Sequence, residues 1–201
     1  MKHLVFATNN QHKLEEVQAM VGQTFELKSL KEIGCFAEIP ETGITFEENA
    51  SQKSRYIFEH FKVDCFSDDS GLEVDALGGE PGVYSAHYSG SRDTETNMQL
   101  VLDNLGANTN RKARFRCVIS LILDGREYFF EGSAEGEITR ERSGSSGFGY
   151  DPIFRPEGYQ NTFSEMSQEE KNKISHRAKA MDKLVEFLTK RASSNPQPHS
   201  V

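Results

Sequence analysis

The chain has 201 residues, 36% of them hydrophobic and 27% charged, with a formal net charge of −8. This length suits one domain or two small lobes sharing a core. The acidic balance argues against a nucleic-acid binder, whose affinity rests on lysine and arginine neutralising phosphates, though a few converging cations still allow a small anionic ligand.

His3 to Ala7 reads as a short buried strand, a polar turn follows, and a helix then places Leu14, Val17 and Val21 on one face. The apolar stretch in MKHLVFATNN is too short for a signal peptide and no run reaches membrane-spanning length, so a cytoplasmic protein is expected. Phe25 to Ser29 is a second strand. Thr45-Phe46-Glu47-Glu48 has the pattern of a capping box and predicts a helix to about Phe61, with Phe46, Ala50, Ile57 and Phe61 inward. Asp64 to Ser67 is a third strand, expected to deliver Asp68-Asp69-Ser70-Gly71 at its end. A glycine-rich loop covers Gly78 to Gly82, and a helix runs from about Thr94 to Leu105.

The strongest strand signal is the alternation Phe115, Cys117, Ile119, Leu121, Leu123, followed by an Asp124-Gly125 hairpin turn and a return over Glu127 to Phe130. Ser143 to Gly149 is Gly/Ser-rich and expected to be mobile. A last helix is predicted over Ser175 to Arg191, with Ala178, Met181, Val185 and Leu188 inward, and a polar, disordered tail over 193–201. The interleaving predicts an α/β fold with a mixed sheet. The cysteines Cys35, Cys65 and Cys117 are dispersed, with no C-x-x-C pair, and offer neither a disulfide framework nor a zinc site.

Four segments could carry chemistry. The Thr8-Asn9-Asn10 turn feeds a helix, whose free N–H groups and positive dipole end suit a phosphate, with Lys13 one turn in; the same residues also serve as an ordinary N-cap. No Gly-x-x-x-x-Gly-Lys loop is present. Asp68 and Asp69, with Glu41 upstream, are adjacent carboxylates that repel unless a cation or proton intervenes, and hard oxygen ligands suit Mg²⁺; a solvated turn is the plain alternative. Asp69-Ser70-Gly71 also has the triplet of aspartic proteases, but those enzymes need two such loops. Phe148-Gly149-Tyr150-Asp151 could stack on a nucleobase and accept from its edge, or close the core as an aromatic corner. Lys171 and Ser175-His176-Arg177 could reach a ligand from the last helix, or merely cap it.

Together the segments resemble one family, the inosine/xanthosine triphosphate pyrophosphatases, or Ham1-like proteins. The matching motifs are T-N-N-x-x-K at Thr8–Lys13, E-T-G-x-T-F-x-E-N-A at Glu41–Ala50 with Lys53, and D-D-S-G-L at Asp68–Leu72. They continue with L-G-G-x-P-G-V-Y-S-A at Leu77–Ala86, G-F-G-Y-D-P-I-F at Gly147–Phe154 and S-H-R at Ser175–Arg177. Many members carry T-G-N-x-G-K in the first loop, where this chain has Asn9 and His12.

The resemblance implies a long mixed sheet flanked by helices, in a single two-lobed domain over 1–192 with a central cleft, in a homodimer without nucleic-acid or membrane partners. It also implies Mg²⁺-dependent hydrolysis of ITP, dITP and XTP to the monophosphate and pyrophosphate. Thr8, Asn9, Asn10 and Lys13 would hold substrate phosphates, with Lys53 nearby and Gln11 and His12 also binding substrate. Glu41 and Asp69 would hold Mg²⁺ with Asp68 supporting, and Asp69 would accept the proton. Ser70, Phe148, Gly149, Tyr150, Asp151, Lys171, His176 and Arg177 would bind substrate and read the base. The physical reading agrees, because an acidic chain that binds a triphosphate needs a cation and clustered lysines to offset its charge. A Maf-type pyrophosphatase fits the F-G-Y-D and S-H-R segments poorly, and a silent nucleotide-binding module leaves the three carboxylates unexplained.

Overall fold

The computed structural model describes residues 2–9, 11–22 and 24–194. In chain order its elements are β1 (Lys2–Phe6), α1 (Gln11–Val21), β2 (Phe25–Lys28), α2 (Phe46–Phe61), β3 (Cys65–Val74) and α3 (Thr94–Leu105). They continue with β4 (Lys112–Leu123), β5 (Arg126–Ile138), β6 (Phe154–Pro156), α4 (Gln168–Ile174) and α5 (His176–Ser194). The strands form one mixed sheet in the order β2-β1-β3-β4-β5-β6. β1 runs parallel to β2 and β3, and the remaining neighbours are antiparallel.

Alternation along β4 decides which helices cover which face. Cys117, Ile119, Leu121 and Leu123 join Leu14, Val17 and Val21 of α1 and Met181, Leu184 and Leu188 of α5 in one core. Further along the same face, Phe115 packs with Met98, Val101 and Leu105 of α3 and with Phe154 and Phe163. The intervening residues Val118 and Ile122 face α2, meeting Phe46, Ala50 and Ile57. Each fully buried Leu or Phe contributes about 1.5–3 kcal/mol by leaving water.

α1 and α2 thus lie on opposite faces, and the chain passes from β1 to neighbours on both of its sides. The carboxyl end of β1 is therefore a topological switch point, where open sheets leave a crevice. β1 pairs with β3 only as far as Phe66. Beyond it the segment Gly79 to Ser85 takes up the same edge, bonding Val74 and Leu72. Asp68, Asp69 and Ser70 occupy the gap between the two.

Two glycines permit close approaches here. A Cβ on Gly71 would sit 2.4 Å from the Gly82 carbonyl, so only glycine lets that segment close on β3. A Cβ on Gly132 would sit 2.2 Å from the His176 carbonyl, so its absence lets the start of α5 lie directly on β5.

The structure departs from the sequence reading in several places. β3 runs on through Asp68–Gly71 to Val74 instead of ending before them, because β4 supplies an antiparallel partner throughout. β5 extends to Ile138. A separate helix, α4, precedes α5; Ser175 breaks the run with extended backbone (φ −68°, ψ 151°). Ser143 to Gly149, expected to be mobile, is tied down: Ser146 Oγ donates to the Ser164 carbonyl at 2.5 Å, and the Ser143 N–H donates to the Pro152 carbonyl. Asn10 and the side chain of His12, expected at the substrate, and residues 195–201 of the expected tail lie outside the described residues, while α5 itself runs to Ser194.

Candidate active site

β3 carries the two carboxylates at the centre of the site. Asp68 and Ser70 point to the α1/α5 face, where Arg177 Nε donates to Asp68 Oδ2 and Arg177 Nη2 to Ser70 Oγ, both at 3.3 Å. Lys13 Nζ lies 3.8 Å from the same Asp68 oxygen. Burial alone would raise the Asp68 pKa, but Lys13, Arg177 and Lys53 outweigh it and hold the carboxyl well below the usual range.

Asp69 points to the α2 face. Its Oδ1 accepts from the Ser70 N–H at 3.1 Å, while Oδ2 is buried with no hydrogen-bond partner. Burial, only partly opposed by Lys53 and by the nearby Asn49 amide, pushes its pKa up to about 6. Lys53 bridges the segments: Nζ donates to the Asp68 carbonyl and pairs with Glu41 Oε1, each at 2.5 Å. Burial works against its charge, but Asp68, Glu41 and Asp69 win and raise its pKa.

The first turn is built as expected in part. Thr8 follows β1, and Lys13 stands in the first turn of α1. Gln11 turns away from the carboxylates, donating to Glu15. Asn9 Oδ1 accepts from the Lys31 N–H at 2.9 Å and ties the turn to the segment after β2.

The last two segments converge. Lys171 Nζ pairs with Asp151 Oδ2 at 2.6 Å, and the Phe148 N–H donates to the same oxygen at 2.8 Å. Gly149 sits in left-handed backbone (φ 60°) between Phe148 and Tyr150. Phe148 projects outward, 81% exposed, whereas Tyr150 is buried and donates to the Ser85 carbonyl, serving the core as the aromatic-corner alternative supposed. The His176 ring stacks on Phe115 with centroids 5.0 Å apart, and its Nδ1 is buried without a partner. Burial, then Arg177 and Lys171, lower its pKa to about 3, so the ring is neutral. A cavity of ≈ 330 Å³ opens between α1, α4 and α5, lined by Lys13, Lys171, Ser175, His176, Arg177 and Met181. A larger open depression of ≈ 560 Å³ lies over Arg114, Glu135, Glu137 and Arg155, but those charges are already paired with one another.

Among the described residues no three His, Cys, Asp or Glu side chains converge on one point. The orphaned Asp69 oxygen near Glu41 still fits a hard divalent cation, since Mg²⁺ is commonly held by one or two carboxylates with waters and substrate phosphates completing its shell.

Two residues not picked out as site residues in the sequence belong here, Asn49 from within the E-T-G-x-T-F-x-E-N-A motif and Gln52 beyond it. Asn49 and Gln52 of α2 share a face with Lys53 and bind the backbone beside Glu41. Their signal was the polar spacing i, i+3, i+4 at 49, 52 and 53 on an otherwise inward-facing first turn.

The sequence model of the Ham1 family matches residues 4–187. A dITP/XTP pyrophosphatase of Flavobacterium johnsoniae is 50% identical over 187 residues, covering 92% of this chain and 97% of that protein. One from Bacillus subtilis is 44% identical over 193 residues, covering 94% and 98%. The solved structure of the Staphylococcus aureus Ham1 protein matches with a TM-score of 0.91 at 40% identity, covering 94% of this chain and all of that one. The chain belongs to the Ham1 family.

Proposed function

We propose that this protein hydrolyses the non-standard purine nucleoside triphosphates ITP, dITP and XTP to the nucleoside monophosphate and pyrophosphate. The observation that carries this reading is the pairing at β3. One carboxylate is held ionised by three cations, and its neighbour presents a buried, unpartnered oxygen with a pKa near 6. Such an oxygen is matched to taking a proton from water near neutral pH. Relatives named dITP/XTP pyrophosphatase support the same substrate class.

Water adds across the bond between the α and β phosphates, one phosphorus taking its hydroxyl and Asp69 its proton. Lys13 and Lys53 offset phosphate charge, with Thr8 and the N-terminus of α1 supplying donors. Glu41 and Asp69 would hold Mg²⁺, which when bound supplies further neutralisation of the phosphates. Lys171, His176 and Arg177 face the base, with Phe148 available to stack on it. Hypoxanthine and xanthine offer a 6-keto acceptor where adenine has an amino donor, so a donor-lined wall rejects adenine.

Residues 1–192 would act as one two-lobed unit in a cytoplasmic homodimer; among the described residues no helix is long and apolar enough to cross a membrane. The test is pyrophosphate release from a panel of ITP, dITP, XTP, GTP, ATP and pyrimidine triphosphates with Mg²⁺. Preference for the first three supports the reading, and preference for pyrimidine nucleotides overturns it.

A further inference from the structure

The face of β3 that α2 covers carries a line of buried polar side chains. Cys65 Sγ donates to the Ser54 carbonyl at 3.2 Å, and Ser67 Oγ donates to the Ala50 carbonyl at 2.5 Å. Ser54 Oγ in turn meets Ser120 Oγ of β4 at 2.5 Å, and Ser120 donates to Glu127 Oε1 at 2.8 Å. Cys65, Ser54, Ser67 and Ser120 are all wholly buried, among Phe46, Ala50 and Ile57. Helix and strand keep step along this seam. Two residues of strand advance about 6.7 Å and four residues of helix about 6 Å, so donors at 65 and 67 meet carbonyls at 54 and 50. The next residue on this face of β3 is Asp69. Three residues on from Ala50 is Lys53, whose Nζ reaches the Asp68 carbonyl at 2.5 Å. Apolar contacts are non-directional and would let α2 slide on the sheet. The seam does not, because a slipped helix would leave buried donors unpaired.

We propose that Ser67 is a positioning residue: its bond to the Ala50 carbonyl fixes α2 against β3, and so sets Lys53 and the Glu41 segment at their height beside Asp68 and Asp69. It does not touch the reacting atoms. This rests on the assignment of those four residues made above. Cys65 and Ser54 continue the seam, but Ser67 is its member nearest the carboxylates in sequence, one residue before Asp68. The Ala50 carbonyl already accepts from the Ser54 N–H within the helix, so the Ser67 hydroxyl is not needed to satisfy it. What the hydroxyl adds is register.

The test uses the full chain in two arms. In the metal-free protein, NMR follows the nuclear Overhauser contact between the Phe46 ring and the Gly71 α-protons. Phe46 Cε1 lies 3.1 Å from the place a Gly71 Cβ would take, so this contact reports where the start of α2 stands on β3. With Mg²⁺ and ITP, kcat and KM are measured separately. Ser67→Ala should weaken the contact and lower kcat about tenfold or more, with KM moving less, since misplacement by about 1 Å can cost about 10²-fold. Ser67→Cys keeps a donor, as Cys65 already does toward Ser54, and should recover most of both. Wild-type kcat or an unchanged contact in Ser67→Ala overturns the proposal, and so does a Ser67→Cys protein no better than Ser67→Ala. If Ser67→Ala does not fold, Ser54→Ala cuts the next link of the seam and should lower kcat in the same direction; normal turnover there is equally contrary. A wild-type protein releasing no pyrophosphate from any triphosphate would refute the functional reading instead, and the NMR arm would still decide whether Ser67 sets the register of α2.

Discussion

Asp68 and Asp69 are neighbours in sequence but stand on opposite faces of the sheet. Asp68 turns to Arg177 and Lys13, and Asp69 turns to α2. Strand alternation separates the two charges, and the Lys53 ammonium offsets what repulsion remains between them. The two environments then push the two pKa values apart, Asp68 down and Asp69 up to about 6. Carboxylates divided in this way can take different tasks, one a fixed charge and the other a proton acceptor.

Asp69→Asn should lower kcat by about 10²-fold or more, the scale of losing a general base. It should also stabilise the metal-free protein. The folded-state pKa of Asp69 is raised from 3.8 to about 6, so the folded state binds the extra proton and wild-type stability declines as pH rises through that window. Asn cannot ionise, so the variant's advantage should appear between pH 4 and 6 and level off above, on the order of 2 kcal/mol. Denaturant melts of both proteins at pH 4 and pH 8 measure it; the same difference between variant and wild type at both pH values would contradict the buried, orphaned carboxyl.

His176 carries the opposite sign. Its pKa falls from 6.5 to about 3 on folding, so the unfolded chain takes the proton first and stability is lost as pH falls below 6.5. At pH 5 the loss is at most about 2 kcal/mol. His176→Phe, which keeps a ring against Phe115, should show a smaller drop in Tm between pH 7 and pH 5 than the wild type. An identical drop would mean that the ring is solvated and free to charge.

Lys13→Ala and Lys53→Ala should each weaken ITP, XTP and residual GTP turnover by similar factors, because both ammonium groups serve phosphate. Lys53→Ala should cost more in kcat, since Lys53 also holds Glu41 and the Asp68 carbonyl. Measuring kcat/KM for the three substrates checks this. A strong change in the ratio between bases would move one lysine to the base.

Arg177→Ala should cost ITP about 1–3 kcal/mol in kcat/KM, the range for a charged hydrogen bond or a buried group left unpaired. ATP should lose much less, so the preference would collapse by roughly tenfold or more. Because Arg177 also braces Asp68 and Ser70, the ratio, not the absolute rate, is the readout. Equal losses on both substrates would leave Arg177 as a brace for β3 alone.

Much of this was legible because local chemistry and tertiary demand agree. The capping box at Thr45–Glu48 starts α2, Gly106 ends α3, and Asp124-Gly125 turns the hairpin. Asp68 to Gly71 was read as leaving the strand because Asp and Gly are poor strand formers. Continuous pairing with β4 and cationic partners override that propensity. The last helix was placed at Ser175, within a residue of its start, but α4 before it was missed because its exposed polar run carries no apolar periodicity. The bond from the Lys31 N–H to Asn9 was not legible for a plainer reason: Lys31 is twenty-two residues away, and no local pattern marks a side chain that grips a distant backbone. The bond from the Gly43 N–H to Asn49 was not legible either, since Asn49 resembles any polar residue in a helical first turn.

The measurement that bears most directly on the central claim is ³¹P NMR of ITP turnover by the wild-type enzyme with Mg²⁺. IMP and pyrophosphate should appear together in equal amounts from the first time point, because attack falls between the α and β phosphates. Orthophosphate as the first product, with IDP accumulating, would contradict it.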